Sequence, residues 1–153
     1  MAASPTPALD SAYLEAAARI IFMGGLNRGV VDNKWAGFRA AFSGFDVPTV
    51  AAMGPADVER LAADDRLIRY RAKLQAVVDN AATMAEVARE HGSFGAWVNA
   101  LVAREGAAAA QRELARRFRY VSEQGALFWL FACGHDVGEV SEKNRAKYAP
   151  FSG

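Results

Sequence analysis

The chain has 153 residues, 52% hydrophobic and 23% charged, with a formal net charge of +1. That size and composition suit one globular domain with a proper core and leave little room for a second. The single cysteine, Cys133, excludes an intrachain disulfide and fits a reducing cytoplasm, while a net charge near zero neither requires nor forbids a nucleic-acid partner.

Residues 1–9 are rich in Ala, Pro, Ser and Thr, with no basic start or apolar run, and read as a flexible segment. No later stretch is long and apolar enough to span a bilayer, so no membrane is expected. Asp10 and Ser11 are N-cap candidates for a first helix from Ala12 to Met23, which Gly24-Gly25 stops. Asp32 is a candidate cap for a second, in which Trp35, Phe38 and Phe42 share one face. Pro48 opens a short helical turn through Met53, and Gly54-Pro55 starts another carrying Val58 and Leu61.

The longest periodic segment follows. Leu67, Leu74, Val77, Ala81, Met84 and Ala88 mark an apolar stripe running to Gly92, expected to be a central packed helix. Ser93 caps a helix with Phe94, Trp97 and Leu101, and Gly106 separates it from an Ala-rich helix over 107–117. Gly125 to Cys133 is apolar nearly all round and expected to be buried, with Gly134 ending it; 135–153 reads as a polar tail. Strand alternation and fixed-period repeats are absent, so the fold class is all-α with roughly seven to nine helices. The chain has no Gly-rich phosphate loop, nucleophile elbow or His-Glu-x-x-His helix.

Three ordered blocks stand out. Phe38-Arg39-Ala40-Ala41-Phe42 leads to Phe45-Asp46 and Val50-Ala51-Ala52-Met53. Asp57-Val58-Glu59-Arg60-Leu61 leads to Ile68-Arg69-Tyr70-Arg71-Ala72-Lys73-Leu74 and then Asn80-Ala81. Arg116-Arg117-Phe118-Arg119-Tyr120-Val121-Ser122 leads into Phe128 to Gly134. In order and spacing these resemble the DNA-3-methyladenine glycosylase I family of helix-hairpin-helix glycosylases. The second block, similar to the family's Ile-Arg-x-x-x-Lys-Ile and Asn-Ala signature, is the most specific. The chain looks like a shortened, divergent member without the zinc site, with residues 10–134 as its glycosylase-like domain.

The resemblance implies a monomeric base-excision-repair hydrolase with no cofactor. Such an enzyme rotates an alkylated purine out of double-stranded DNA, stacks it on aromatic side chains and cleaves its N-glycosidic bond with water. The third block then forms a hairpin whose backbone N–H groups hold a phosphate at the start of the next helix. Arg69, Arg71, Lys73, Arg116, Arg117, Arg119, Tyr120 and Ser122 are the candidate DNA-binding residues, with Arg112 adding to the basic cluster. Arg117 and Ser122 stand where the family carries glycine, which compromises close backbone approach, although the Ser122 hydroxyl can serve as a cap. Any one of these arginines is equally a solvated helix end, and Arg69, Arg71 and Lys73 equally cover apolar surface with their methylenes.

Ile20, Met23, Asn27, Arg28 and Trp35 are the base-pocket candidates. The family's base-reading Glu falls at Ile20 and its stacking Trp at Arg28. Because 3-methyladenine is cationic in DNA, Ile20 offers it no acceptor and Arg28 brings like charge beside it. No catalytic residue is assigned: Glu15 and Asp32 flank the segment, but carboxylates there more often cap helices. Trp35 equally belongs to its aromatic stripe. Cys133, His91 and His135 are too few for tetrahedral zinc, so no metal is expected; Cys133 reads as a small core residue and His135 as a helix cap. The alternatives are a non-catalytic DNA-binding module that has lost the pocket chemistry, and a helical interaction protein. Both DNA readings require the 118–122 turn and the Ile20 to Arg28 stretch to share one cleft.

Overall fold

The structure, a computed structural model, describes residues 9–149, so all of the segment expected to be flexible except Leu9 falls outside it. Nine α-helices make up the described chain: α1 Asp10–Met23, α2 Arg28–Ala41, α3 Val47–Ala51, α4 Pro55–Ala62, α5 Arg71–His91, α6 Phe94–Glu105, α7 Ala107–Arg117, α8 Glu123–Ala132 and α9 Glu142–Tyr148. A single 3-10 turn, Ser43–Phe45, joins α2 to α3. Among the described residues there is no strand, and no helix is long and apolar enough to cross a membrane. The fold is all-α.

Several helix starts differ from those expected, each because a different side chain reaches the free N–H groups. Asn27, not Asp32, caps α2, its Oδ1 accepting from the Val30 N–H at 2.9 Å, and Asp32 lies inside the helix. Asp10 does not cap its own helix. Its two carboxylate oxygens accept from the N–H groups of Phe94 and Gly95, each at 2.9 Å, so it satisfies the start of α6 and ties that helix to α1. Ser93 adds the local cap on Ala96. Leu67 is buried but precedes α5, which begins at Arg71.

The longest helix, α5, packs against α1, α3, α4 and α6, because its Leu74, Val77, Ala81 and Met84 are buried at helical spacing. Two aromatic groups flank it. One stacks Trp35 on Phe38 at 4.8 Å and on Phe45 at 5.5 Å, locking α2 to the 3-10 turn. The other joins α1, α6, α7 and α8: Phe94 lies 5.4 Å from Tyr13, 5.6 Å from Phe118 and 5.8 Å from Trp129. The Trp129 Nε1–H donates to the Tyr13 carbonyl at 2.8 Å, so even this buried indole is satisfied.

At Gly37 the helix α2 passes the 64–66 loop so closely that a Cβ would sit 2.8 Å from both the Cβ and the carbonyl oxygen of Arg66. Gly37→Ala gains about 1 kcal/mol of helix propensity but forces a backbone shift worth roughly 1–3 kcal/mol. A net loss of about 1 kcal/mol is expected in urea denaturation, and a net gain would show that the loop gives way freely.

The segment read as a polar tail carries α9. Ser141 caps it, accepting from the Asn144 N–H at 3.2 Å; Glu142 sits in its first turn, and Arg145 and Lys147 in its last. With no buried residue of its own, α9 offers no apolar stripe to read from sequence. Cap and dipole signals alone announce it.

Candidate functional site

The end of α1, the turn between α7 and α8, the first turn of α8, and α9 surround a cavity of about 560 Å3. This lies within the range of small-ligand sites, roughly 300–1,000 Å3. Ile20, Met23, Gly24 and Gly25 form its α1 side, and Tyr120 and Ser122 its hairpin side. The stretch after Ile20 and the 118–122 turn therefore face one another across a single space. A larger groove of about 710 Å3 lies elsewhere, between the start of α1, α3 and the end of α5, and shares no residue with this one.

Three anchors shape the hairpin. Phe118, where α7 ends, is buried edge-on against Trp129 at 5.1 Å, and Val121 is buried as well. Asn80, 1% exposed on α5, clamps the peptide between them: its Oδ1 accepts from the Arg119 N–H at 2.8 Å and its Nδ2 donates to the Arg119 carbonyl at 3.1 Å. Tyr120 then turns at φ 59°, in the left-handed region, and its ring stands 53% exposed at the cavity mouth. Ser122 caps α8 by accepting from the Gly125 N–H at 3.0 Å. At Gly125 a Cβ would reach 3.3 Å from the Ser122 Oγ and 3.8 Å from Ile20, so α8 and α1 approach closely there.

Lys73, in the first turn of α5, donates to the Gly24 carbonyl at 2.9 Å, and its ammonium lies 5.3 Å from the centre of the Tyr70 ring and 6.0 Å from that of Phe22. Partial desolvation pulls its pKa downward. It thus fixes the strand of chain after α1 while lining the cavity.

Two arginines hold α9. Arg28 donates from Nη1 to the Ala146 carbonyl and, at 3.1 Å, to that of Lys147, while its Nε meets Asp32 at 3.3 Å. The buried Arg19 reaches the Ala149 carbonyl at 3.5 Å. Cationic groups at these carbonyls oppose the negative end of the helix dipole. Burial and the neighbouring Arg28 press the Arg19 pKa down to about 9, and it stays charged at neutral pH. Tyr148 stacks on Phe128 with ring centres 4.0 Å apart and planes 6° from parallel, and Arg145 sits over Phe131 at 5.7 Å.

The candidates from sequence separate accordingly. Ile20 and Met23 line the cavity, Arg28 grips α9, and Asn27 caps α2. Trp35 is 3% exposed in the aromatic stack, donating to Glu15 Oε2 at 3.0 Å, and is not among the cavity residues, because its face of α2 turns to the core. Tyr120, Ser122 and Lys73 line the cavity; Arg119 is exposed beside them and paired with Asp79 at 3.2 Å. Arg116 and Arg117 meet Glu113 at 2.5 and 2.6 Å, and Arg117 also covers Trp97 at 5.2 Å. Arg71 pairs with Glu59 on α4, and Arg69 is exposed in the loop before α5. Asn144, Lys147, Tyr148, Gln124 and Phe128 complete the cavity wall and were not among the candidates.

Neither flanking carboxylate enters the cavity: Glu15 accepts from Trp35 and Arg39, and Asp32 from Arg28. Among the described residues no three of His, Cys, Asp and Glu gather as a metal would require. Burial raises the Cys133 thiol pKa. The His135 Nε2 shares a 2.7 Å hydrogen bond with the Tyr13 hydroxyl, and desolvation pulls its pKa below the ordinary 6.5. His135 therefore binds a proton more weakly when folded, so it favours folding above pH 6.5 and opposes it as pH falls. Denaturation at pH 7.5 and 5 should show a smaller acid-side loss for His135→Gln than for the parent chain; equal losses would remove His135 from the acid response.

An all-α chain whose last long helices form a hairpin beside a cavity at the end of the first helix has the architecture of a helix-hairpin-helix glycosylase. Residues 13–126 match the family described as methyladenine glycosylase, and the chain belongs to that family. Over 57 residues it is 47% identical to DNA-3-methyladenine glycosylase 1 of Escherichia coli (strain K12), a stretch covering 37% of this chain and 30% of that enzyme. A crystal structure of 3-methyladenine DNA glycosylase I superposes with a TM-score of 0.72 at 28% identity, covering 84% of this chain and 81% of the other. A solution structure of a 3-methyladenine DNA glycosylase I, from work on alkylated base recognition, gives 0.71 at 27%, covering 87% and 81%. A Staphylococcus aureus variant of the enzyme gives 0.75 at 21%, covering 86% and 82%, a likeness of fold.

Proposed function

We propose that this protein is a DNA glycosylase of base-excision repair, which binds double-stranded DNA and hydrolyses the N-glycosidic bond of a damaged purine turned out of the helix. The observation that carries the reading is the single cavity shared by the end of α1 and the hairpin turn. In the relatives the lesion is 3-methyladenine, and an alkylated purine is the first substrate to test here.

In this reading the hairpin backbone and the start of α8 meet a phosphate, with Arg119 and, at the loop before α5, Arg69 as outer contacts. The extruded base enters between α1 and α9 and stacks on the Phe128–Tyr148 side. The bond from C1′ to the purine breaks with its electron pair leaving on the base; water adds at C1′ and gives up its proton to solvent. The protein supplies position and electrostatics, since the cavity wall carries no carboxylate among the described residues. The reading includes a cytoplasmic monomer, in keeping with the lone, half-buried Cys133.

That missing carboxylate also favours a second reading, a DNA-binding module without catalysis. Duplexes carrying one lesion each separate the two. Release of free base, leaving an alkali-labile abasic site, supports the glycosylase; salt-sensitive duplex binding with no base released from any lesion supports the module.

A further inference from the structure

The charged side chains on the cavity wall all carry the same sign. Lys73 and Lys147 bring amines, Asn144 and Gln124 bring amides, and no Asp or Glu is present among the described residues that line it. Lys147 belongs to α9, its ammonium 5.3 Å from the centre of the Tyr148 ring. The aromatic part of the wall is the parallel Phe128–Tyr148 pair, kept in place by the arginine grip on α9. Because α9 is anchored from α1, α2 and α8 and the cavity remains open beside it, Tyr148 acts as a wall, not a plug.

We propose that this cavity selects a neutral purine bearing a carbonyl at position 6, stacked beside Tyr148, over a cationic alkylpurine. The inference rests on the reading of this cavity as the base pocket and assigns its substrate class. Two ammonium groups repel a cationic ring and donate to a carbonyl oxygen, and the two amides supply both donors and acceptors for the rest of the base edge. A neutral purine leaves less readily than an alkylated cation. An amine that hydrogen-bonds the departing base, and hands it a proton later replaced from solvent, suits that harder departure.

The test separates binding from cleavage. Two nucleosides with the same sugar, neutral inosine and cationic 1-methyladenosine, are titrated into the full chain and followed through the backbone amide NMR signals of Gln124, Asn144 and Tyr148. Inosine is expected to bind about tenfold more tightly or better. Lys147→Glu, a change at a half-buried position of α9 on the cavity wall, should reverse that preference, and Tyr148→Ala should weaken both nucleosides while Tyr148→Phe keeps them. Equal affinities, no binding of either, or tighter binding of the cation overturns the inference. Duplexes with a single hypoxanthine or a single 7-methylguanine then address cleavage. Release of 7-methylguanine alone overturns the inference and leaves the glycosylase reading standing. Tighter inosine binding with no base released from either duplex supports the inference and overturns catalysis.

Discussion

Asn80→Ala is expected to destabilise the protein by roughly 1–3 kcal/mol and to loosen the hairpin, because it leaves the part-buried N–H and carbonyl of Arg119 without their partners. The loss is not one of packing volume, since alanine fills part of the same space. The unpaired N–H and carbonyl cannot turn to water without moving the turn, and that turn already holds Tyr120 at a positive φ. Once the clamp is gone, relaxation of Tyr120 carries Ser122 and the start of α8 with it. Asn80→Asp is a sharper comparison: it keeps the acceptor for the Arg119 N–H but sets a carboxylate oxygen against the Arg119 carbonyl. Urea denaturation together with duplex binding in low salt measures both effects. A variant with parental stability and parental duplex affinity would show that the hairpin is fixed by Phe118 and Val121 alone.

Arg28→Ala is expected to free α9 while leaving the rest of the fold in place. The guanidinium donates to two carbonyls at the end of a seven-residue helix that buries no residue of its own, an end otherwise held by the longer Arg19–Ala149 contact and the Tyr148–Phe128 stack. Charge-assisted bonds of this kind contribute about 1.5–3 kcal/mol, and their loss should speed amide exchange across 142–149 by roughly ten- to a hundredfold. Purine binding should fall in step, since Tyr148 and Lys147 would no longer be held at the cavity. Arg28→Lys should recover only part, because one ammonium cannot keep both the bonds that Nη1 makes to the two carbonyls and the separate Nε contact with Asp32. Unchanged exchange in this segment would assign the anchoring of α9 to Arg19 and the Tyr148–Phe128 stack.

The role of Arg28 shows where inference from a family pattern stops. At the position where the family resemblance implies a stacking tryptophan, an arginine looks like a lost pocket residue. In the folded chain its target is main-chain carbonyl oxygen more than a hundred positions away, and carbonyls leave no trace in a pattern of residue types. The same holds for Asp10, whose carboxylate suits a local cap but serves the N–H groups of Phe94 and Gly95 instead. Asn27 displaced Asp32 as the cap of α2 for a local reason: both are good caps, and nothing in their spacing ranks them.

Periodic apolar residues and glycine stops were enough to define an all-α chain, the central position of α5 and the order of the helices flanking the hairpin, because these depend on near-neighbour spacing along the chain. Asn80 and the hairpin arginines could be placed on their elements in the same way. Which walls enclose the cavity was settled by contacts distant in sequence. A short polar helix with no stripe of its own folds back through two arginine–carbonyl grips and one aromatic stack, and energies of that kind exist only once both partners are in place.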